Sequence, residues 1–299
     1  MNVLQEHALD RRKGRANAMT IDVEDYYQVS AFESHVSRDA WPSFATRIER
    51  NLHLVLTQLA EHGVSATFFT LGCVAERHPG LIRELVEQGH ELASHGYSHV
   101  RVTRQDRYAF FEDICRTKSL LEDIAGVEVK GYRAASYSID GSTPWAHEAL
   151  RKAGYGYSSS VYPIRHDHYG MPEAPRFRFN PIPGDSAFIE IPISTIELLG
   201  RRIPCGGGGY FRLYPYGVSR WAFERLNRLE KQAGIFYFHP WEMDPEQPRV
   251  QGLSSRTRFR HYLNLSRMES RVRHLLRDFT WDRMDRIFLP AHPDSSESA

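Results

Sequence analysis

The sequence of 299 residues has few cysteines and no long apolar run. Cys73, Cys115 and Cys205 are widely spaced and form no Cys-x-x-Cys pair, so neither a disulfide framework nor a thiolate metal site is predicted. No segment reaches the roughly 18 apolar residues of a membrane-spanning helix, and no apolar stretch follows the basic N-terminus as it would in a secretory signal peptide. We therefore expect a folded cytoplasmic protein that does not span a membrane.

The chain also has almost no net charge, at +1 with the histidines neutral, so no overall field favours nucleic acid as a partner. Residues 249–286 are a local exception, because they contain ten arginines, no lysines and four acidic residues. Such a stretch can form solvated helix faces, or it can dock an anionic glycan, a lipid-linked substrate or a partner protein. The second interpretation leaves room for a homo-oligomer.

Short apolar segments alternate with amphipathic ones along most of the chain. Strands are predicted at 18–23, 65–71, 90–93, 129–133, 155–161, 188–193 and 235–238, and helices at 42–63, 79–89, 106–125, 144–153 and 218–233. This alternation predicts parallel strands joined by helical crossovers, with residues 162–183 as a loop. We expect an α/β fold in a single domain over residues 19–288, with a C-terminal helical extension from about 200, a flexible leader (1–18) and a flexible tail (289–299).

Four polar residues are predicted at the carboxyl ends of strands: Asp22, His95, Arg133 and His239. In parallel α/β folds the loops at these ends converge on one face, where active sites form. The four side chains are therefore predicted to share one site. The run 206–209, in contrast, is four glycines without the Lys-Ser/Thr of a phosphate-binding loop.

His95 and His99 lie four residues apart, downstream of the carboxylate cluster Asp22-Val23-Glu24-Asp25. Two imidazoles at this spacing can hold one cation if the segment is helical, and a carboxylate completes a set that leaves positions open for water and substrate. The acids have an alternative role as helix caps or solvated groups. Neighbouring carboxylates repel one another, however, unless a cation or a proton lies between them. These residues thus indicate a metal-dependent hydrolase.

Four motifs follow one another along the chain: Thr20-Ile21-Asp22-Val23-Glu24-Asp25, Ser94-His95-Gly96-Tyr97-Ser98-His99, Gly131-Tyr132-Arg133-Ala134-Ala135-Ser136-Tyr137-Ser138 and Phe238-His239-Pro240-Trp241-Glu242. In this order they resemble the polysaccharide deacetylases of carbohydrate esterase family 4, and more narrowly the cytoplasmic branch encoded in bacterial exopolysaccharide loci. The glycine-rich segment before Tyr210-Phe211-Arg212 and the arginine-rich C-terminal stretch extend the resemblance, which runs from about Met19 to Phe288.

The resemblance implies a distorted (β/α) barrel that holds one divalent metal, usually zinc. His95 and His99 match the metal histidines, and Asp22 matches the catalytic base. The metal carboxylate is open between two residues, because strand alternation places Glu24 on the same face as Asp22, whereas chemical identity favours Asp25. Asp25 is the preferred assignment, and Glu24 is the alternate.

Three further roles are implied by the same resemblance. Arg133 matches the arginine that orients the base and holds it ionised, and Tyr137 matches the residue whose backbone N–H helps to bind the oxyanion. His239 matches the histidine that protonates the leaving amine. Ser158 stands where relatives often have an aspartate, so the group that orients His239 is expected to be different or weaker.

The implied activity is removal of N-acetyl groups from an acetamido sugar in a bacterial exopolysaccharide or surface glycan precursor. The substrate partner would be an acetylated glycan or a lipid- or nucleotide-linked sugar, and Trp241 and Tyr97 are expected to line its groove. Two alternatives stay open: an allantoinase-like amidohydrolase on the same scaffold, which need not bind metal, and a non-catalytic glycan-binding subunit of a polysaccharide biosynthetic complex.

Overall fold

The computed structural model describes residues 15–167 and 169–290. Its main feature is a parallel sheet formed by β1 (Asn17–Val23), β2 (Thr67–Thr70), β3 (Glu91–Ser94), β4 (Gly131–Tyr132), β5 (Tyr157–Ser158), β6 (Ile189–Glu190), β9 (Ile235–Phe238) and β10 (Trp281–Asp282). A separate antiparallel hairpin consists of β7 (Thr195–Leu198) and β8 (Arg201–Pro204). The strands run in the order β6-β5-β4-β3-β2-β1, and both β9 and β10 pair with the free side of β1.

Helices connect these strands and cover the outside of the curled sheet. They are α1 (Ile48–Glu61), α2 (Gly72–Arg77), α3 (Pro79–Glu87), α4 (Arg107–Ala125), α5 (Trp145–Lys152), α6 (Gly208–Leu213), α7 (Tyr216–Glu224), α8 (Ser255–Tyr262), α9 (Met268–Asp278) and α10 (Met284–Phe288). The predicted α/β class is confirmed, and the barrel takes the form of a curled, parallel half-barrel.

The core lies on both faces of the sheet because adjacent strand residues point in opposite directions. In β2, Phe68 packs in the large cluster beneath the helices, together with Leu52 of α1 and Ile114 of α4. Its neighbour Phe69 packs in a second cluster inside the curl, with Tyr157 of β5. The sheet is therefore buried on both faces, as expected for parallel strands.

Some predicted boundaries were wrong. The helix predicted from Pro42 begins at Ile48, because Pro42 lies in a 3-10 turn over Arg38–Ser43. The first strand begins at Asn17, inside the predicted leader, and the Asn17 side chain is buried with Oδ1 accepting the N–H of Gly234 at 2.7 Å. The rest of the leader (1–14) and most of the predicted tail (291–299) lie outside the described residues.

The chain beyond residue 200 is more than a helical extension. It supplies β9 and β10 to the main sheet, and Trp281 pairs with Asn17 at the start of β1. The parallel pairing of β9 with β1, up to Ile21 and Phe238, places the loop after β9 beside the loop after β1. Among the described residues, no helix is long and apolar enough to cross a membrane.

Candidate active site

The carboxyl ends of the parallel strands bring together side chains that are distant in the sequence. Asp22 lies near the end of β1 and Glu24 directly follows it, while His95 follows β3, Arg133 follows β4 and His239 follows β9. Distances of 2.6 Å from Arg133 to Asp22 and 3.5 Å from His239 to Glu24 show that these groups form one site. The convergence predicted from the strand ends is therefore present.

Three buried side chains in this site have the composition and spacing of a metal centre. One ligand atom each from Glu24, His95 and His99 lies within 4.8 Å of the other two. The segment that carries the histidines is not helical, contrary to the condition set by their spacing, because His99 has a left-handed backbone with φ of 55°. A loop therefore brings the two rings together, with a centroid separation of 5.2 Å.

Hydrogen bonds orient the histidine rings of this centre. Nδ1 of His95 donates to the backbone carbonyl of Arg133 at 2.8 Å, which leaves the lone pair of Nε2 free for a metal. Nδ1 of His99 lies 3.4 Å from the hydroxyl of Ser30, and its Nε2 faces Glu24. Burial lowers the pKa of both imidazoles, so the neutral, ligating form is favoured.

Glu24 fits the role of a metal carboxylate. Its Oε1 accepts a 3.3 Å hydrogen bond from the indole N–H of Trp241, whereas its buried Oε2 has no hydrogen-bond donor and lies 3.1 Å from Nε2 of His99. Burial raises the pKa of Glu24 to about 7. A carboxylate oxygen that is buried without a donor, next to two imidazoles, is a suitable ligand for a cation such as zinc.

Asp25, the carboxylate preferred from the sequence, lies outside this cluster. Its Oδ2 accepts 2.8 Å hydrogen bonds from the hydroxyl of Thr46 and the backbone N–H of Arg47, just before α1, and its Oδ1 accepts from the N–H of Tyr26. These bonds occupy both oxygens. The backbone turns immediately after β1, so Glu24 and not Asp25 faces the histidines.

Asp22 and Arg133 form a buried ion pair beside the metal cluster. Nη1 of Arg133 donates to Oδ1 of Asp22 at 2.6 Å and to the hydroxyl of Thr20 at 2.9 Å, while its other nitrogens bind Ser159. Burial favours the neutral carboxyl, but the guanidinium of Arg133 outweighs it with help from His95 and lowers the pKa of Asp22. Asp22 is therefore held as a carboxylate.

Tyr137 is in the site, but its backbone N–H is engaged. That N–H donates to the carbonyl of Ala134 at 3.0 Å within a short turn in which Ser136 and Tyr137 have φ values of 53° and 51°. The phenol hydroxyl instead lies 3.4 Å from Oδ2 of Asp22. Binding an oxyanion with the N–H of Tyr137 would require this turn to open.

His239 is oriented by Glu242, a residue whose role the sequence did not reveal. Nδ1 of His239 lies 2.9 Å from Oε1 of Glu242, and its Nε2 faces Oε1 of Glu24 at 3.5 Å and Oδ2 of Asp22 at 3.9 Å. Burial would lower the pKa of His239, but these carboxylates raise it to about 9. These carboxylates favour the protonated ring, whose Nε2 points at the site.

Glu242 is in turn fixed by Arg212 of α6. Nε of Arg212 donates to Oε2 of Glu242 at 2.6 Å, and the guanidinium also donates to the backbone carbonyls of residues 260, 261 and 263. Burial opposes ionisation of Glu242, but the charge of Arg212 prevails and lowers its pKa to about 2. The run of four glycines permits this arrangement, since a Cβ on Gly208 would overlap the Glu242 carboxylate.

The remaining predicted site residues have distinct positions. Trp241 is buried, with its ring stacked between His239 at 5.1 Å and His261 at 4.2 Å, so it supports the site rather than forming an open wall. Tyr97 is half-buried and lines a cleft next to the histidine loop. Ser158 is buried in β5, where its hydroxyl donates to Ser160.

Two family models match most of the chain. Residues 39–158 match polysaccharide deacetylase, and residues 159–289 match a domain of unknown function, DUF3473. The chain is 32% identical over 95 residues to the peptidoglycan-N-acetylglucosamine deacetylase of Bacillus cereus. This match covers 31% of the chain and 34% of that protein, so the chain spans about a third of its relative's length.

Solved structures with low sequence identity share the fold. One from Mycobacterium smegmatis, assigned to the polysaccharide deacetylases, has a TM-score of 0.56 and 21% identity, with 92% of this chain and 89% of that chain covered. Puue allantoinase has a TM-score of 0.58 and 16% identity, with 91% of this chain and 88% of that chain covered. Residues 39–158 are therefore similar to the polysaccharide deacetylases, and the solved structures show that the chain shares their fold.

Proposed function

We propose that the protein is a metal-dependent hydrolase that removes N-acetyl groups from an acetamido sugar. The observation that carries this proposal is that a candidate base, Asp22, and a candidate acid, His239, lie beside the buried cluster of Glu24, His95 and His99. Asp22 is paired with Arg133 at 2.6 Å, and Nε2 of His239 lies 3.5 Å from Glu24 and 3.9 Å from Asp22. Hydrolysis of an amide needs such a base and such an acid around one carbonyl group.

Glu24, His95 and His99 would hold one divalent metal, with Glu24 in place of Asp25. Two imidazoles and a carboxylate are typical ligands of catalytic zinc. A zinc ion bound there would supply Lewis acidity toward the amide carbonyl and toward a water molecule.

The two flanking side chains move the protons. Asp22 accepts a proton from the attacking water, and the guanidinium of Arg133 keeps it ionised until then. His239 donates its Nε2 proton to the amide nitrogen as the carbon–nitrogen bond breaks, so the products are acetate and a free amino sugar. Glu242 holds the imidazole by its Nδ1–H and stabilises the charged form during this transfer.

The substrate that we propose is an acetamido sugar in a bacterial exopolysaccharide or surface glycan precursor, free or linked to a lipid or nucleotide. Its support is the family match together with the peptidoglycan deacetylase among the relatives. We place the reaction in the cytoplasm because all three cysteines are free thiols, as is usual in a reducing compartment. We also propose that the protein can form a homo-oligomer, with the arginine-rich residues 249–286 as the contact region.

The alternative functions are less well supported by the site. An allantoinase-like amidohydrolase would share the scaffold, but one without metal gives no role to the buried cluster of Glu24, His95 and His99. Ser158, in place of the aspartate that is common in relatives, favours a non-catalytic subunit, because His239 then lacks its usual orienting group. Glu242 supplies that function from another loop, so this reason no longer holds.

The test is acetate release by zinc-loaded protein from N-acetylglucosamine oligomers, with zinc measured by mass spectrometry. Asp22→Asn and His95→Ala are expected to abolish turnover, and His95→Ala also lowers the zinc content. His53→Ala is the matched control, because the His53 side chain is exposed and pairs with Glu84 on the surface, away from the site. Full activity in Asp22→Asn, or in protein from which zinc has been removed, would exclude the proposed mechanism.

A further inference from the structure

A cleft of about 590 Å³ is lined in part by the loops that carry the candidate metal ligands. Asp25 and Gln28 of its wall follow Glu24 along the chain, and Tyr97 and Ser98 of its wall lie between His95 and His99. Most of the remaining wall comes from the 3-10 turn at 38–43 and from α2. This volume is within the range of ligand pockets, and the cleft shares its loops with the candidate active site.

Two aromatic rings are presented in this cleft in fixed positions. Trp41 is half-buried, with the guanidinium of Arg38 at 5.9 Å from its ring. Tyr97 is clamped by the guanidinium of Arg116, 3.8 Å from its ring, and donates its hydroxyl to Glu76 at 2.6 Å. Rigid aromatic faces attract the polarised C–H groups of a sugar ring, and they lose little entropy on binding.

The polar groups of the cleft are suited to hydroxyl groups. Asp39 and Arg77 both line it and are exposed, and within the described part of the chain neither side chain forms a hydrogen bond or an ion pair. A carboxylate with unused acceptor positions and a guanidinium with unused N–H donors can each bind two neighbouring hydroxyls of a sugar.

The charges of the lining argue against an anionic ligand. Three acids, Asp25, Asp39 and Glu76, face two arginines, Arg38 and Arg77. A phosphate, nucleotide or acidic polysaccharide would meet no net positive field in this cleft. An uncharged chain of acetamido sugars does not need a positive field in order to bind.

We propose that this cleft is a distal subsite that binds sugar units of a neutral glycan beyond the unit that is deacetylated, with Trp41 as its platform. The inference rests on the proposed function for the identity of the chain, but it adds a preference for long substrates. A monosaccharide or disaccharide bound at the metal centre leaves the cleft unused, whereas a longer oligomer extends into it.

The test compares N-acetylglucosamine dimer and hexamer as substrates of the zinc-loaded protein. Trp41→Ala is expected to raise KM for the hexamer about tenfold, with kcat unchanged and with no effect on the dimer. Arg77→Met, which alters an exposed side chain, should change the same parameter in the same direction by a smaller factor. Trp221→Ala is the control, because Trp221 is 42% exposed on α7 and does not line the cleft.

Calorimetric titration of the hexamer into the zinc-loaded protein separates this inference from the proposed function. Binding that weakens in Trp41→Ala but not in Trp221→Ala supports the subsite even if no acetate is released. Equal effects of Trp41→Ala on dimer and hexamer, unchanged hexamer kinetics, or no binding of the hexamer to the wild-type protein would each overturn it.

Discussion

The imidazole of His239 and the carboxylate of Glu242 contact each other at 2.9 Å within the turn that follows β9. The same carboxylate oxygen accepts the backbone N–H of His239 at 3.1 Å, so one side chain fixes both the ring and the start of the turn. The resulting Nδ1–H donor leaves Nε2 as the atom that faces Asp22 and Glu24. Orientation of the proposed acid is therefore local in sequence.

The charge of Glu242 should set the alkaline limit of activity. Catalysis needs protonated His239, so activity is lost as the pH rises through the pKa of this group. A cation on Glu24 cancels that carboxylate's effect, which leaves Glu242 as the main group that raises the pKa of His239. In Glu242→Gln we expect the alkaline limb of the kcat profile to move to lower pH by about one unit.

The profile is measured between pH 6 and pH 10, and thermal unfolding is followed in parallel because Arg212 loses its charged partner in this variant. Glu246→Gln serves as the control, since the Glu246 side chain is 75% exposed and pairs with Arg50 at the surface. An alkaline limb at the same pH in Glu242→Gln and wild type would show that this carboxylate does not tune the acid.

Glu24 and Asp25 are adjacent, but they should give opposite results on substitution. Glu24→Gln is expected to lower the affinity for zinc about 100-fold or more, because a charged ligand is lost from the cluster. Asp25→Asn should keep one zinc per chain and lower the free energy of unfolding by about 1–2 kcal/mol, as loss of a cap does. Competition with a chelator and urea unfolding measure the two quantities. Normal zinc affinity in Glu24→Gln with loss in Asp25→Asn would restore the assignment preferred from the sequence.

The strand ends were predictable because apolar runs and the parallel α/β rule determine where strands end and that these ends converge. Asp22, His95, Arg133 and His239 were found in this way. The choice between Glu24 and Asp25 was not predictable, because it depends on how the backbone turns after β1. That turn is set by contacts with Thr46 and Arg47, about twenty residues away.

Glu242 was visible in the His-Pro-Trp-Glu motif, but its partner was not. Arg212 lies thirty residues earlier, and only the folded chain shows that it meets Glu242. The signal that could have indicated it is the run of glycines just before Tyr210-Phe211-Arg212. Such a run marks close approach of a backbone to something large, but the sequence alone does not say to what.

Arg38 should control the metal affinity from outside the ligand set. Its guanidinium donates to the carbonyls of Ser98 and His99, at 2.7 and 2.9 Å, and so holds His99 in its left-handed conformation. Arg38→Met is expected to weaken zinc binding about 10- to 100-fold, with partial recovery in Arg38→Lys. Arg104→Met is the control, because Arg104 pairs with the same Glu33. Equal zinc affinity in the Arg38 and Arg104 variants would assign this arginine a structural role only.

Two neighbouring glycines at the start of α6 provide the sharpest test of the Glu242 arrangement. A methyl group on Gly208 would overlap the carboxylate of Glu242, whereas one on Gly209 meets no atom within 4 Å. Gly208→Ala is therefore expected to destabilise the protein by about 1–3 kcal/mol and to lower kcat, because Glu242 must move away from His239. Gly209→Ala should be neutral or stabilising by up to about 1 kcal/mol, since alanine is the better helix former. Thermal unfolding and acetate release measured on both variants decide the matter. Equal stability and equal acetate release in the two variants would mean that the backbone at Gly208 shifts without moving Glu242. Close packing of α6 against this carboxylate would then not be needed for activity.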